Sequence, residues 1–166
     1  NTKLAKYILI ISTIVGILFP IEFLWERQIS IKALLNFTNL LEINHRIAVE
    51  RYTLGVSHSK IGSILLIFVY FSPLIGGFNY NFFPDVKMKY LCLFSILPAL
   101  LTLIVTNTKA GFLGAVFLFL SGYFAGLVKL GKHLPKLSVK KLISILVLVF
   151  IFLGILYVSM IFRLGK

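Results

Sequence analysis

The distribution of charge along the chain limits most strongly what it can fold into. Five apolar stretches, at residues 7–25, 61–83, 90–108, 110–128 and 142–162, contain one charged residue between them, Glu22. All the other Lys, Arg, Asp and Glu residues, from a total of 17 basic and 5 acidic, lie outside. A bilayer core about 30 Å thick needs about 20 apolar residues in helical form, so each stretch is long enough to span it. This partition predicts an all-α, polytopic integral membrane protein with about five transmembrane helices in one domain.

The composition favours the same class. The chain is 59% apolar with a mean hydropathy of +1.00, and 13% of its residues are charged, against about 25% in soluble globular proteins. A net charge of +12 in so apolar a chain indicates loops that face anionic lipid and fix topology. We therefore expect membrane lipids, and not nucleic acid, as partners. The chain starts at Asn1 without a Met, and we expect it to be a piece of a longer protein, truncated at both ends.

Two spans are nearly continuous, because residues 90–128 contain only one charge, at Lys109. One helix of that length would be about twice as long as the bilayer core is thick, so the chain has to turn back. We place the turn at residues 106–111, where Thr108 is expected to cap the following helix. Residues expected to kink helices or to allow close helix contacts are Pro73, Pro98, Gly76, Gly77, Gly111, Gly114, Gly122 and Gly126.

The basic residues between spans predict the orientation. Nine of them lie on the N-terminal side of the five spans and eight on the other side, but five of those eight belong to the long segment 27–60. Without that segment the count strongly favours a cytoplasmic N-terminus. Residues 129–141 then form a cytoplasmic basic loop. The segment 27–60 faces outward, where its apolar spacing predicts an amphipathic helix on the membrane surface.

The densest polar cluster in the outward segment surrounds Arg46 and Arg51. Glu42, Arg46 and Glu50 are four residues apart, so they can form an ion-pair ladder on one helix face. Arg51 has no partner in that ladder. An arginine beside a membrane is a natural phosphate or diphosphate ligand, because its planar fork binds such oxygens in pairs. Arg46 remains a candidate ligand beside the ladder interpretation, and His45 with Glu50 are weaker candidates.

Two further cations lie on the predicted outward side. Lys109 stands in the first turn of a helix, where the helix dipole prefers an anion, so this turn is a candidate anion site. Arg163 lies at the outer end of the last predicted span. Both are also explained as ordinary interfacial residues, and the sequence leaves this choice open.

The sequence lacks the residue patterns that several common enzyme chemistries require. Asp85 is the only aspartate, so no Asp-x-Asp is present to hold a metal with a nucleotide sugar. The three histidines are not spaced as metal ligands, and the glycines form no nucleotide-binding loop. We expect no metal and no cofactor.

Three short segments resemble one family. Thr106-Asn-Thr-Lys-Ala-Gly-Phe-Leu113 at a hairpin turn, Glu50-Arg-Tyr52 before a span, and Ser159-Met-Ile-Phe-Arg-Leu-Gly165 are similar, in this order, to motifs of bacterial oligosaccharide repeat-unit polymerases of the Wzy type. The resemblance covers roughly residues 45–165. In that family the turn usually carries Arg where this chain has Lys109.

The resemblance implies an inner-membrane enzyme that needs no metal. It would transfer a growing glycan from undecaprenyl diphosphate to a sugar hydroxyl of another lipid-linked repeat unit at the periplasmic face, with a chain-length regulator protein as a further partner. Arg51, Lys109 and Arg163 would match the outward cations of the family. Two alternatives stay open: an O-antigen ligase of the same superfamily, and a transporter or flippase subunit for lipid-linked oligosaccharide.

Overall fold

The computed structural model describes residues 2–34, 36–53, 58–106, 108–132 and 154. Within these ranges all regular secondary structure is α-helical. The helices are α1 (Thr2–Glu26), α2 (Ile31–Leu34), α3 (Phe37–Thr53), α4 (Lys60–Tyr80), α5 (Val86–Phe94), α6 (Leu97–Thr106) and α7 (Lys109–Lys129). The all-helical prediction is confirmed for this part of the chain.

The described part of the chain contains four helical segments that are long and apolar enough to cross a membrane. They are Lys3–Glu26, Lys60–Tyr80, Val86–Thr106 and Lys109–Lys129, and they correspond to the first four predicted spans. Apart from residue 154, the fifth predicted span at residues 142–162 lies outside the described residues, as does most of the predicted basic loop, residues 133–141.

Helix α4 is the centre of this bundle, with α1 antiparallel to it and α7 parallel. It packs most extensively against α7, at a contact that glycines make possible. A Cβ on Gly77 would overlap the carbonyl of Phe119, and a Cβ on Gly122 would overlap the carbonyl of Leu74. The predicted close contact at Gly122 and Gly126 is therefore formed inside the chain, because both glycines face the α4 backbone.

The third span differs from the prediction because it is broken, not merely kinked. Helix α5 ends at Phe94 and α6 begins at Leu97, with Ser95 and Ile96 in a turn between them. Pro98 has no N–H to donate to the carbonyl four residues earlier, and its ring crowds that carbonyl. The interruption therefore lies on the N-terminal side of the proline, in the turn that precedes it.

Buried hydroxyl groups surround the broken helix. Ser95 Oγ donates to the Cys92 carbonyl at 2.6 Å, and Ser72 Oγ on α4 donates to the Ser95 carbonyl at 2.9 Å. Thr13 Oγ1 on α1 lies 3.0 Å from Ser72 Oγ. A carbonyl freed from a helix inside an apolar bundle needs such a partner, so three helices meet at this point through polar contacts.

The bundle has two ends of different composition. The basic end is formed by the start of α1, the start of α5 and the end of α7. Its lysines are Lys3, Lys6, Lys87, Lys89, Lys129 and Lys132. The polar end is formed by the end of α1, by α2 and α3, by the start of α4 and by the turn from α6 to α7. All candidate site residues that the structure describes lie at the polar end.

Candidate functional site

An apolar cluster holds the elements of the polar end together. Ile47 of α3 is buried in the same cluster as Phe23 of α1 and Val105 of α6, and Phe112 of α7 packs against it. The predicted surface segment is thus two helices, of which α3 is anchored through Ile43 and Ile47. The cluster brings α3 and the α6–α7 turn, more than fifty residues apart in sequence, to one end of the bundle.

The chain leaves α1 through a left-handed residue. Gln28 has φ of 54°, the Ile29 N–H donates to the Leu24 carbonyl at 2.9 Å, and the Gln28 N–H donates to the Trp25 carbonyl at 2.9 Å. This pair of bonds is the Schellman arrangement that closes a helix C-terminus. It sets Arg27 as the last residue before the turn.

Arg27 is a largely buried cation of the polar end. Its guanidinium lies 3.9 Å from the centroid of the Phe23 ring, and its Nη2 donates to Glu50 Oε1 at 3.3 Å. Its Nη1 lies 3.6 Å from Glu26 Oε2. Only 11% of the side chain is exposed, and Nε and Nη1 are buried without a hydrogen-bond partner. The α1 C-terminus is thereby tied to α3.

Glu22, the one acid inside the predicted spans, joins α1 to α4. Ser59 Oγ donates to Glu22 Oε1 and accepts from the Gly62 N–H at 2.8 Å. Ser59 is thus the N-cap of α4 and the partner of the carboxylate at once. Glu22 Oε2 is buried without a hydrogen-bond partner, and a Cβ on Gly62 would lie 2.7 Å from it.

The ion-pair ladder proposed for α3 is not formed. Glu50 pairs with Arg27 across the bundle end, and in the described ranges no ion pair joins Arg46 to Glu42 or Glu50. Arg46 and His45 are exposed on α3. Glu50 is half-buried where it contacts the guanidinium of Arg27, which stacks on the Phe23 ring. A solvent-exposed pair with Arg46 would stabilise the helix by only about 0.5 kcal/mol, so Glu50 pairs with Arg27 instead.

The structure describes the other predicted cations to different extents. Arg51 lies on α3 one residue after Glu50, but its side chain is not among those described. Arg163 lies outside the described residues. Lys109 is described, is half-buried and begins α7 as expected.

The α6–α7 turn is where the sequence predicts it, with a different capping arrangement. Thr108 occupies the N-cap position of α7, but its hydroxyl forms no capping hydrogen bond. It pairs with the Thr106 hydroxyl instead, which itself contacts the Thr102 carbonyl at 2.7 Å. Gly111 lies close to the Tyr70 hydroxyl. Thr108 is therefore the N-cap residue of α7 as predicted, but its hydroxyl is directed toward the preceding helix and does not supply the expected capping bond.

Arg27, Glu22 and Ser59 were not candidates on sequence grounds. Arg27 stands two positions after the end of an apolar stretch, where a cation is usually an interfacial anchor. The single carboxylate within a span was the one available signal, because ionisable groups at that depth are rare. Across the described ranges, no group of three or more His, Cys, Asp or Glu side chains is placed to hold a metal ion.

Comparisons of the chain with protein families, with curated proteins and with solved structures find no match.

Proposed function

We propose that the chain belongs to a membrane glycosyltransferase that polymerises undecaprenyl-diphosphate-linked oligosaccharide repeat units into O-antigen or capsule polysaccharide at the periplasmic face of the bacterial inner membrane. One observation supports this proposal above the others. The α3 segment with Arg46 and Arg51 and the turn with Lys109 carry the family resemblance independently, and they lie at the same end of the bundle.

The chemistry of the transfer explains why cations at one end matter. A sugar hydroxyl of the acceptor attacks the anomeric carbon of the donor glycan, its proton leaves to a base, and the bond from that carbon to the diphosphate oxygen breaks. Undecaprenyl diphosphate departs with the electron pair of that bond. Negative charge grows on the diphosphate in the transition state, and preorganised positive charge lowers the barrier. Lys109 and Arg51 are the positions to which we assign this role.

The test is a complementation experiment in a polysaccharide-producing host whose own copy of the gene is deleted. The full-length gene is supplied with Lys109→Ala or Arg51→Ala, and glycan length is compared on a gel. We expect both variants to lose the long chains, and Lys109→Arg to retain them because the charge is kept. Lys129→Ala, at the basic end, is the matched control and should behave as wild type. Long chains in both alanine variants would contradict the proposal.

The same gel separates the two alternatives. A ligase defect leaves chains of normal length on the undecaprenyl carrier, without attachment to the lipid A core. A transporter or flippase defect retains single lipid-linked units on the cytoplasmic side. The proposed polymerase defect leaves single units that have crossed to the periplasmic side, so they become attached to the lipid A core, whereas the units retained by a flippase defect do not.

A further inference from the structure

A groove on the outer flank of the bundle combines apolar walls with carboxylates. Its volume is about 350 Å³, and it lies between α1 and α4 near the polar end. Apolar side chains form most of its lining: Leu18, Ile21, Trp25 and Leu65. Glu22 and Glu26 complete it. Trp25 is 81% exposed, which suits a residue at a membrane interface.

The charge in and beside this groove is unbalanced. Glu22 and Glu26, two of the five acids of a chain that carries +12 overall, line it, and Arg27 pairs with Glu26 and with Glu50 of α3. In the described ranges no cation forms an ion pair with Glu22. Lys60, the first residue of α4, is exposed and makes no such pair.

A carboxylate in apolar surroundings is costly unless a cation or a proton compensates it. Ser59 supplies one hydrogen bond to Oε1, and Oε2 has no hydrogen-bond partner. No ion pair therefore neutralises Glu22 in the described ranges, and its Oε2 is buried, whereas the carboxylate of Glu26 is exposed. The groove favours a ligand with positive charge at one end, where Glu26 can accept its N–H donors, and an apolar chain at the other. Its opening on the outer flank of two apolar helices places it where membrane lipids pack.

We propose that this groove binds a phospholipid with a primary ammonium headgroup, of the phosphatidylethanolamine type. The lipid chain lies along Leu18, Ile21 and Leu65, and the ammonium group is drawn to the carboxylates of Glu22 and Glu26. An anionic headgroup is repelled by both carboxylates, and a trimethylammonium headgroup has no N–H to donate to the exposed carboxylate of Glu26. This inference does not rest on the proposed glycosyltransferase activity.

The chain supplies its own probe, because its single tryptophan, Trp25, lies in the groove. The chain is reconstituted in vesicles that contain lipids brominated on the acyl chain, with phosphatidylethanolamine, phosphatidylcholine or phosphatidylglycerol headgroups at equal mole fraction. Quenching of Trp25 fluorescence reports which lipid occupies the groove. We expect phosphatidylethanolamine to be preferred over phosphatidylcholine by about tenfold or more, the size expected for one hydrogen bond to a charged group, and phosphatidylglycerol to bind most weakly.

Substitutions test whether the carboxylates cause the preference for phosphatidylethanolamine. Glu22→Gln with Glu26→Gln should make the three lipids nearly equal, whereas Asp85→Asn, which removes a carboxylate at the basic end, should change nothing. If the double variant does not fold, as judged by its helical circular dichroism, Glu26→Gln alone should reduce the preference. Lys60→Gln should preserve it, since Lys60 does not compensate Glu22. Equal quenching by the three lipids in the wild-type chain, as expected if a proton neutralises Glu22, would overturn the proposal.

Discussion

The basic end and the polar end of the bundle carry charge in different ways. At the basic end the described lysines border the apolar helices, and the single acid, Asp85, accepts from the Lys87 N–H at 3.2 Å as the N-cap of α5. At the polar end a guanidinium is buried between carboxylates, and a serine that caps α4 also bonds the acid within the first predicted span. Lysines beside a span are sufficient to fix topology. Buried and partly unsatisfied polar groups indicate a site, and this difference is why we place function at the polar end.

The largest effect is expected from breaking the close contact between α4 and α7, two helices that run between the ends. Gly122→Val puts a side chain into the Leu74 carbonyl, and we expect it to lower the free energy of unfolding by more than about 3 kcal/mol, beyond ordinary overpacking. Gly114→Ala is the matched control on the same helix, because its Cβ would meet only the Tyr70 ring at 3.9 Å. Denaturant unfolding followed by circular dichroism measures both. Equal stability of the two variants would mean that α4 and α7 do not pack as described.

The second prediction separates the two ends by their side of the membrane. Cys92, the only cysteine, is 0% exposed, so an introduced cysteine at an exposed position is the accessible one. We expect a membrane-impermeant thiol reagent to label His45→Cys in intact cells and to label Lys132→Cys only after the membrane is opened. The opposite labelling pattern would show that the predicted orientation is wrong and that the polar end faces the cytoplasm.

The third prediction compares the helix caps at the two ends. Ser59→Ala removes both the cap of α4 and the partner of Glu22, which we expect to cost about 2 kcal/mol of unfolding free energy. Asp85→Ala removes only a cap and should cost about 1 kcal/mol. A double-mutant cycle of Ser59→Ala with Glu22→Gln should be non-additive. Additive effects would show that the serine does not support the carboxylate.

The smallest expected effect comes from the ion pair between α1 and α3. Glu50→Gln leaves Arg27 on the Phe23 ring and beside Glu26, so the loss should be about 0.5 to 1 kcal/mol of unfolding free energy. Glu42→Gln, which changes an exposed acid of the same helix, should cost less. Thermal unfolding in detergent compares the two. A larger loss for Glu42→Gln would restore the ladder interpretation of α3.

Sequence reasoning captured the local features of the fold better than its long-range contacts. Hydropathy located the four described helical segments that are long and apolar enough to cross a membrane, and the charge at Lys109 located the turn, because both depend on neighbouring residues. The break at Ser95 was missed, since a proline in a helix permits either a kink or a break and the hydroxyl of Ser72, from another helix, supports the latter. The Arg27 to Glu50 pair was missed because it joins residues 23 positions apart, which no local spacing rule reports.

The proposed activity itself is tested most directly with purified full-length protein and an undecaprenyl-diphosphate-linked repeat unit. The assay measures glycan products of increasing length together with released undecaprenyl diphosphate. We predict that the wild-type protein forms both, that Lys109→Ala slows release by about a hundredfold through loss of charge stabilisation in the transition state, and that Lys129→Ala reacts at the wild-type rate. A folded wild-type protein that releases no undecaprenyl diphosphate, or a Lys109→Ala variant as fast as wild type, would contradict the account.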